Sequence, residues 1–298
     1  MTESDFLAGM AASSRARATA AEEITPESVL LEQIARLPPP APLSLSAEGF
    51  DLIAEMKLRS PALGALQTKA DAGADARIDA YADGGAAAIS VLTEPTRFDG
   101  ELAHLQHATT RLEARGSRRI PAMRKDFLVD PYQILEARAA GAAGVLLIVR
   151  MLSRTQLEAL LDVALAQGLF VLLEAFDERD IDEAIALLEP RRAKACMPSG
   201  AQRLLLGVNC RDLVTLKVIP DRFATLAPHL PTWIARVAES GVLSAADAAA
   251  TAAVGYDLAL VGGALMTHPT PQRLVEQMLQ AGRTTRGQRP RTGLTRSA

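Results

Sequence analysis

Eight short apolar runs, separated by Ala-rich stretches of helical character, limit what this chain can fold into more than any other feature. From Phe50 onward they read FDLIAEM, AAISVLTE, RIPAMRK, GVLLIV, LFVLLE, LLLGVN, IARVAES and LALVG. Each is apolar on both faces, as a strand is when a parallel sheet buries it from both sides; a sheet with one wet face would alternate polar and apolar residues. Between the runs lie helical segments such as ADARIDAYADGG, PYQILEARAAG, SRTQLEALLDVALAQG, ERDIDEAIALL and SAADAAATAAVG, several closing at a Gly that a left-handed C-cap favours. A long open sheet is the other arrangement of such units, but eight is the number that closes around a packed interior. The expected fold class is α/β, a (β/α)8 TIM barrel over residues 50–281 with an N-terminal helical extension over 1–49.

A length of 298 residues suits one such barrel, which typically needs about 250. Apolar residues make up 49% of the chain and aromatics only 4%, a balance that favours Ala-rich helices on an aliphatic sheet over an all-β sandwich. In the extension, PESVLLEQIARL reads as a helix that must end at the run PPPAP. Residues 189–203 are long for a helix-to-strand loop and read as an exposed insertion. Residues 282–298, with five Arg and almost nothing apolar, read as a basic, solvated and disordered tail.

In a parallel barrel the reacting groups stand where strands end, so polar residues closing apolar runs are the candidates. The first run closes in Glu55 and Lys57, the third in Arg124, Lys125 and Asp126, the fifth in Glu174, the sixth in Asn209 and Arg211, and the seventh in Glu239 and Ser240. Any one of these could simply be where a strand meets solvent; five such ends on one face indicate a site. Gly241 in AESG, with Gly262 and Gly263 in LVGGAL, leave backbone N–H groups open after the seventh and eighth runs, where barrels often bind phosphate.

The remaining features exclude other chemistry. The formal charge of -3 argues against nucleic acid or an anionic membrane as partner, and a phosphorylated small molecule fits better. His104, His107, His229 and His268 form no metal-ligand pair of known spacing, so no metal is expected. GxSxG, Walker and GxGxxG motifs are missing. Cys196 and Cys210 make no CxxC, no signal sequence is evident, and no apolar run is long enough to span a bilayer, all consistent with a cytoplasmic protein.

Taken together, AEMKLRSPALG, GGAAAISVLTEPTRFDG, RKDFLVDPYQILEARAAGA, LLEAFDE, GVNCRDL, VAESGV and LVGGALM resemble the indole-3-glycerol-phosphate synthase family over residues 50–281. The start, FLAGMAASSRARATAAEE, resembles that family's N-terminal helix, which covers the substrate mouth. The resemblance implies decarboxylative ring closure of 1-(2-carboxyphenylamino)-1-deoxyribulose 5-phosphate to indole-3-glycerol phosphate in tryptophan biosynthesis, with no cofactor. It assigns Lys125 as general acid and Glu174 as base. Lys57, held near Glu55, becomes a second lysine for substrate anions and dehydration. Asn209, Arg211, Glu239 and Ser240 would line and orient the substrate, Phe127 would form a wall for its aromatic ring, Ser60 a polar position of the first loop, and Gly241, Gly262 and Gly263 the phosphate cradle. Other tryptophan-pathway enzymes are the protein partners it admits.

The sequence also departs from the family pattern. Ala62 and Leu63 replace a hydroxyl and a lysine in the first loop, Asp99 within FDG stands where asparagine is frequent, Glu101 follows FDG where a serine is common, and Gly263-Ala264 replaces a more polar pair. The competing readings are a specialised or non-catalytic paralogue and another sugar-phosphate barrel such as phosphoribosylanthranilate isomerase, which works through a Cys/Asp pair.

Overall fold

The computed structural model describes residues 2–60, 64–65 and 73–287. Eight parallel strands close into a barrel: β1 (Asp51–Met56), β2 (Ala88–Leu92), β3 (Ala122–Lys125), β4 (Gly144–Ile148), β5 (Phe170–Ala175), β6 (Leu204–Asn209), β7 (Ala235–Glu239) and β8 (Leu258–Val261). Each strand pairs with its sequence neighbours, and β1 closes the ring against β8 and β2 through Ile53↔Leu260 and Ile53↔Ala88. The helices that return the chain outside the sheet include α3 (Ala74–Asp83), α4 (Leu102–Glu113), α5 (Pro131–Ala139), α6 (Arg154–Ala166), α7 (Glu178–Leu188), α8 (Ala245–Ala253) and α9 (Pro271–Gly287). They follow α1 (Glu3–Ile24) and α2 (Glu27–Ala35) of the extension.

Alternation along each strand divides the core in two, because successive side chains point to opposite faces. Ile53, Ala88, Met123, Leu146, Leu172, Leu205, Val237 and Leu258 fill the barrel interior. Their neighbours Leu52, Ile89, Val145, Leu147, Val171, Leu206 and Ala259 pack outward against Ile78, Leu105, Ile134, Leu160 and Ile181 of the helices. Outer helices are tied by charge as well. On α3, Asp75, Asp79 and Asp83 recur every fourth residue and meet Arg111, Arg115 and Arg118 at and beyond the end of α4.

Residues 2–49 touch both ends of the barrel. Thr2 and Asp5 cap α1 reciprocally, and Phe6, Leu7 and Met10 join the interior cluster beside Phe98 and Phe127. Burying Leu7 and Met10 contributes about 1.5–3 kcal/mol each. Polar contacts fix the helix: Glu3 accepts from Arg150 (2.8 Å), Ser14 accepts from Gln133 (2.9 Å), and Arg17 reaches both oxygens of Asp126 (2.9 and 3.2 Å). At the other end, buried Leu43 enters the interior cluster and its carbonyl accepts from Gln202 N just before β6. Residues 189–203 therefore do more than project into solvent. They open with a 3-10 turn, Glu189–Lys194, bury Ala195 and Ala201, and leave Met197 exposed.

The solvated tail expected over residues 282–298 does not include residues 282–287. Residues 282–287 complete α9, because Arg283 finds Asp51 and Glu48 while Arg286 finds Asp257. Residues 288–298 lie outside the described residues, as do Ala62 and Leu63 of the first loop.

Asp126 is a buried carboxylate that Arg124, Arg17 and Thr93 surround, so its pKa falls to about 2 although burial alone would raise it. A depressed pKa adds stability that is complete above the unfolded value near 3.9 and is lost as pH falls toward the folded one. Asp126→Asn should cost about 2 kcal/mol at pH 7, with a gap to the natural protein that closes between roughly pH 4 and 2. Urea unfolding as a function of pH measures this directly.

Candidate active site

Lys125 ends β3 on the inward side, and its Nζ lies 3.2 Å from Glu239 Oε2 and 3.4 Å from Glu174 Oε1. Glu174 is the inward residue of β5 two places after Leu172, and its Oε1 also accepts from Asn209 Nδ2 of β6 at 2.7 Å. Across the mouth, Glu55 of β1 accepts from Lys57 Nζ at 2.6 Å. All three carboxylates are buried, at 1–3% exposure, so two ammonium groups and three carboxyls share a space almost without solvent.

Desolvation penalises every charge here, and the surroundings decide which survive. Burial opposes the charge on Lys125, but Glu174, Glu239 and Glu55 overcome it and raise its pKa above the ordinary lysine value. For Glu55, burial acts upward and loses to Lys57 and Lys125, so its pKa is lowered. Glu239 goes the other way: burial and the neighbouring Glu174 push its pKa well above the ordinary carboxyl value. Glu239 and Lys125 are thereby coupled: the lysine favours the carboxylate, while burial and Glu174 oppose it. Glu239 Oε1 is buried and has no hydrogen-bond partner, as expected of a group that resists ionisation.

Above the cluster opens a cavity of about 160 Å³. Its apolar side is made by Phe6, Phe98, Phe127, Phe176 and Leu213, with Phe6 edge-on to Phe127 at a centroid distance of 6.1 Å. Glu55, Lys57, Lys125, Glu174, Asn209, Arg211, Glu239, Ser240, Gly241, Gly262 and Gly263 complete the lining, so these residues, drawn from six strand ends, meet in one place. After β7 the chain turns through two successive left-handed residues, Ser240 (φ 66) and Gly241 (φ 79). Gly263 opens the short helix Gly263–Thr267. Arg211 N donates to Asn209 Oδ1 (2.8 Å) and its Nη1 to the Leu216 carbonyl (2.6 Å), which holds the loop after β6 along the rim.

Several placements differ from a simple reading of strand ends. Of Arg124, Lys125 and Asp126, only Lys125 joins the charged cluster. Arg124 donates to the Gln133 carbonyl, Glu136 and Thr93, while both Asp126 oxygens are taken by Arg17, Thr93, Arg124 and Phe127 N. Gly262 does not have a positive φ; its missing side chain matters because a Cβ there would overlap Glu55 Oε1 and lie 2.9 Å from Lys57 Nζ. Ser60 pairs through its backbone with Gly64 in the first loop. Phe176 could have been found, since it is the next inward position after Glu174. Phe6 carries no such signal, because nothing local in α1 marks which face meets the barrel.

Among the described residues no group of three His, Cys, Asp or Glu is arranged to hold a metal, and no helix is long and apolar enough to cross a membrane. Fold and site together define a (β/α)8-barrel enzyme with acid–base groups, centred on a lysine, beneath an aromatic-walled cavity.

Comparison with known proteins narrows that class. The family model for indole-3-glycerol phosphate synthase matches residues 17–278. Proteins named indole-3-glycerol phosphate synthase from Mycolicibacterium vanbaalenii and Mycobacterium tuberculosis are 43% and 41% identical over 270 residues, covering 90% of this chain and 91% of each relative. The chain belongs to the indole-3-glycerol phosphate synthase family. Among solved structures, 3-hexulose-6-phosphate synthase from Salmonella typhimurium superposes with a TM-score of 0.59 at 15% identity, over 79% of this chain and 99% of that one. Thiamine phosphate pyrophosphorylase from Pyrococcus furiosus gives 0.54 at 15%, over 80% and 99%. Likeness at that identity concerns the barrel fold alone.

The raised pKa of Glu239 has a direct signature. As pH rises through the ordinary carboxyl range, the infrared spectrum should retain the carbonyl band of a neutral buried carboxyl after ordinary carboxyls have ionised, and that band should be missing in Glu239→Gln. A spectrum with that band unchanged in the variant would assign the proton elsewhere.

Proposed function

We propose that this chain closes the indole ring of indole-3-glycerol phosphate from 1-(2-carboxyphenylamino)-1-deoxyribulose 5-phosphate, releasing carbon dioxide and water, as a carboxy-lyase of tryptophan biosynthesis. The observation that carries the reading is the Lys125 ammonium, kept charged by buried Glu174 and Glu239 and directed at a cavity with an aromatic wall. Ring closure joins an aromatic carbon to the sugar ketone carbon, and the ketone oxygen must gain a proton as that bond forms. A cation positioned there lowers the barrier both by donating the proton and by stabilising the developing oxyanion. Loss of the ring carboxylate as carbon dioxide supplies the electron pair that restores ring electron density. The new hydroxyl then leaves as water once a base removes the neighbouring proton.

Lys125 fills the first role. Glu174, fixed by Asn209, is the base for the second. Lys57, paired with Glu55, meets the substrate's anionic groups and assists departure of the hydroxyl. Phe127 with Phe6 flanks the aromatic ring, while Arg211 and Ser240 orient the chain of the sugar. Open backbone N–H groups around Gly241, Gly262 and Gly263 suit the phosphate, a role for which backbone donors suffice despite the departure at Gly263-Ala264. Ser60 belongs to the first loop, close in sequence to Lys57. The substrate is thus a phosphorylated small molecule, and the setting we infer is the cytoplasm, alongside the other enzymes of the pathway.

An isomerase working through a Cys/Asp pair fits poorly. Cys210 is buried off the cavity lining, and burial pushes its thiol up to about 11.

Purified protein given the carboxyphenylamino substrate should produce indole absorbance as substrate is consumed. Lys125→Met should lower kcat by roughly 10²- to 10⁴-fold while changing substrate binding much less. Consumption without indole absorbance, or an unimpaired Lys125→Met, would refute the assignment.

A further inference from the structure

Gly207 sits in the middle of β6, between inward-facing Leu205 and Asn209, where its own side chain would point into the barrel. Its backbone does not have a positive φ, so glycine is not there for conformational freedom. A glycine inside a strand weakens it and often marks a place where something must approach closely. Here that something is Glu239. A Cβ on Gly207 would overlap Glu239 Oε1 and come within 3.1 Å of Leu172 Cδ1.

The strand registers show what the gap allows. Gly207 is level with Glu174 of β5, and Asn209 is level with Glu239 of β7. Two carboxyls from strands on either side of β6 can meet at one lysine only if the residue between them takes no room. Glu239 Oε1 makes no hydrogen bond and lies where a Cβ of residue 207 would stand, while Oε2 accepts from Lys125 Nζ at 3.2 Å. The same device recurs around the barrel. Gly262 leaves space for Glu55 beside Lys57, and near the floor Gly144 leaves space for the ring of Phe170, its register partner.

We infer that Gly207 is a positioning residue for the reaction: the side chain it lacks is the niche that seats Glu239 within reach of Lys125 and Glu174. The inference rests on the ring-closing activity proposed above only for its kinetic arm. With a methyl group in the niche, the Glu239 carboxyl must swing off Glu174, and Lys125 loses one of its two anchoring carboxyls.

The test is a cycle of variants at positions 207 and 239, read by kinetics and by thermal unfolding. Gly207→Ala should lower kcat by on the order of 10- to 100-fold, the scale of misplacing a reacting group by about 1 Å. KM should change by less than about threefold. Glu239→Asp withdraws the carboxyl by one methylene, so the double variant Gly207→Ala/Glu239→Asp should be at least about fivefold more active than the product of the two single effects. Gly207→Ala should also lower the melting temperature, and Gly207→Ala/Glu239→Ala should recover most of that loss. This second comparison decides the matter even if Gly207→Ala alone does not fold. Independent effects at the two positions, in rate and in melting temperature, would overturn the seating of Glu239. A natural protein inactive on the carboxyphenylamino substrate would defeat the proposed reaction instead, and the melting temperatures would still judge the niche.

Discussion

An ammonium group removed from water at the mouth of a barrel needs counter-charge close by, and the site is arranged around meeting that need for Lys125. Taking an ion out of water costs several kcal/mol even after relaxation, which no single surface-like ion pair returns. Glu174 and Glu239 stand within 3.4 Å of its Nζ, and Glu55 adds its field from across the mouth. The carboxyls in turn are made compatible with burial by different means. Glu55 has Lys57, Glu174 has Asn209, and Glu239 has Lys125, with its pKa pushed up by burial and Glu174. Removing any one of these would leave a charge in low dielectric without compensation. The same crowding gives the cluster its chemical use, since a proton-carrying cation with carboxyl neighbours can both donate and recover a proton without bulk water.

The segment that presents Lys125 also fastens the helix over the mouth. Alternation sends Lys125 inward, while Arg124 and Asp126 on either side make the framework that receives Arg17, and Gln133 a turn later binds Ser14. Asp130 and Gln133 start α5 through a reciprocal cap, with Pro131 at its first position, which fixes the chain soon after Phe127. The acid, one aromatic wall and the seat for α1 are therefore set by about ten consecutive residues. α1 completes the cavity through Phe6 and is held in that same first turn by Arg150 on Glu3.

Legibility in the sequence followed the range of the interactions involved. All eight strands were readable because parallel strands buried on both faces leave continuous apolar runs, and the fold class came with them. Charged strand ends were readable for the same reason, as breaks in those runs. Direction was harder: period-two alternation would have separated Lys125 from Arg124 and Asp126, yet which parity faces inward depends on the closed ring. Phe6 reaches the cavity through docking of α1 that no local pattern encodes. Arg283 and Arg286 looked like a solvated tail because their partners, Asp51 and Asp257, are remote in sequence. Gly207 and Gly262 are the subtlest cases, since a glycine's reason for being there is the neighbour that occupies its space.

The charge on Lys125 is the point on which the chemistry turns, and it can be followed in solution. Nuclear magnetic resonance of protein labelled at lysine, with the Lys125 signal assigned by its absence from Lys125→Met, reads the protonation of each amine as pH rises. Lys125 is expected to remain cationic past the pH near 10.4 at which an unperturbed lysine side chain titrates. An amine at position 125 that is already neutral near pH 7 would contradict a proton donor held by three carboxyls, and would make it a base instead.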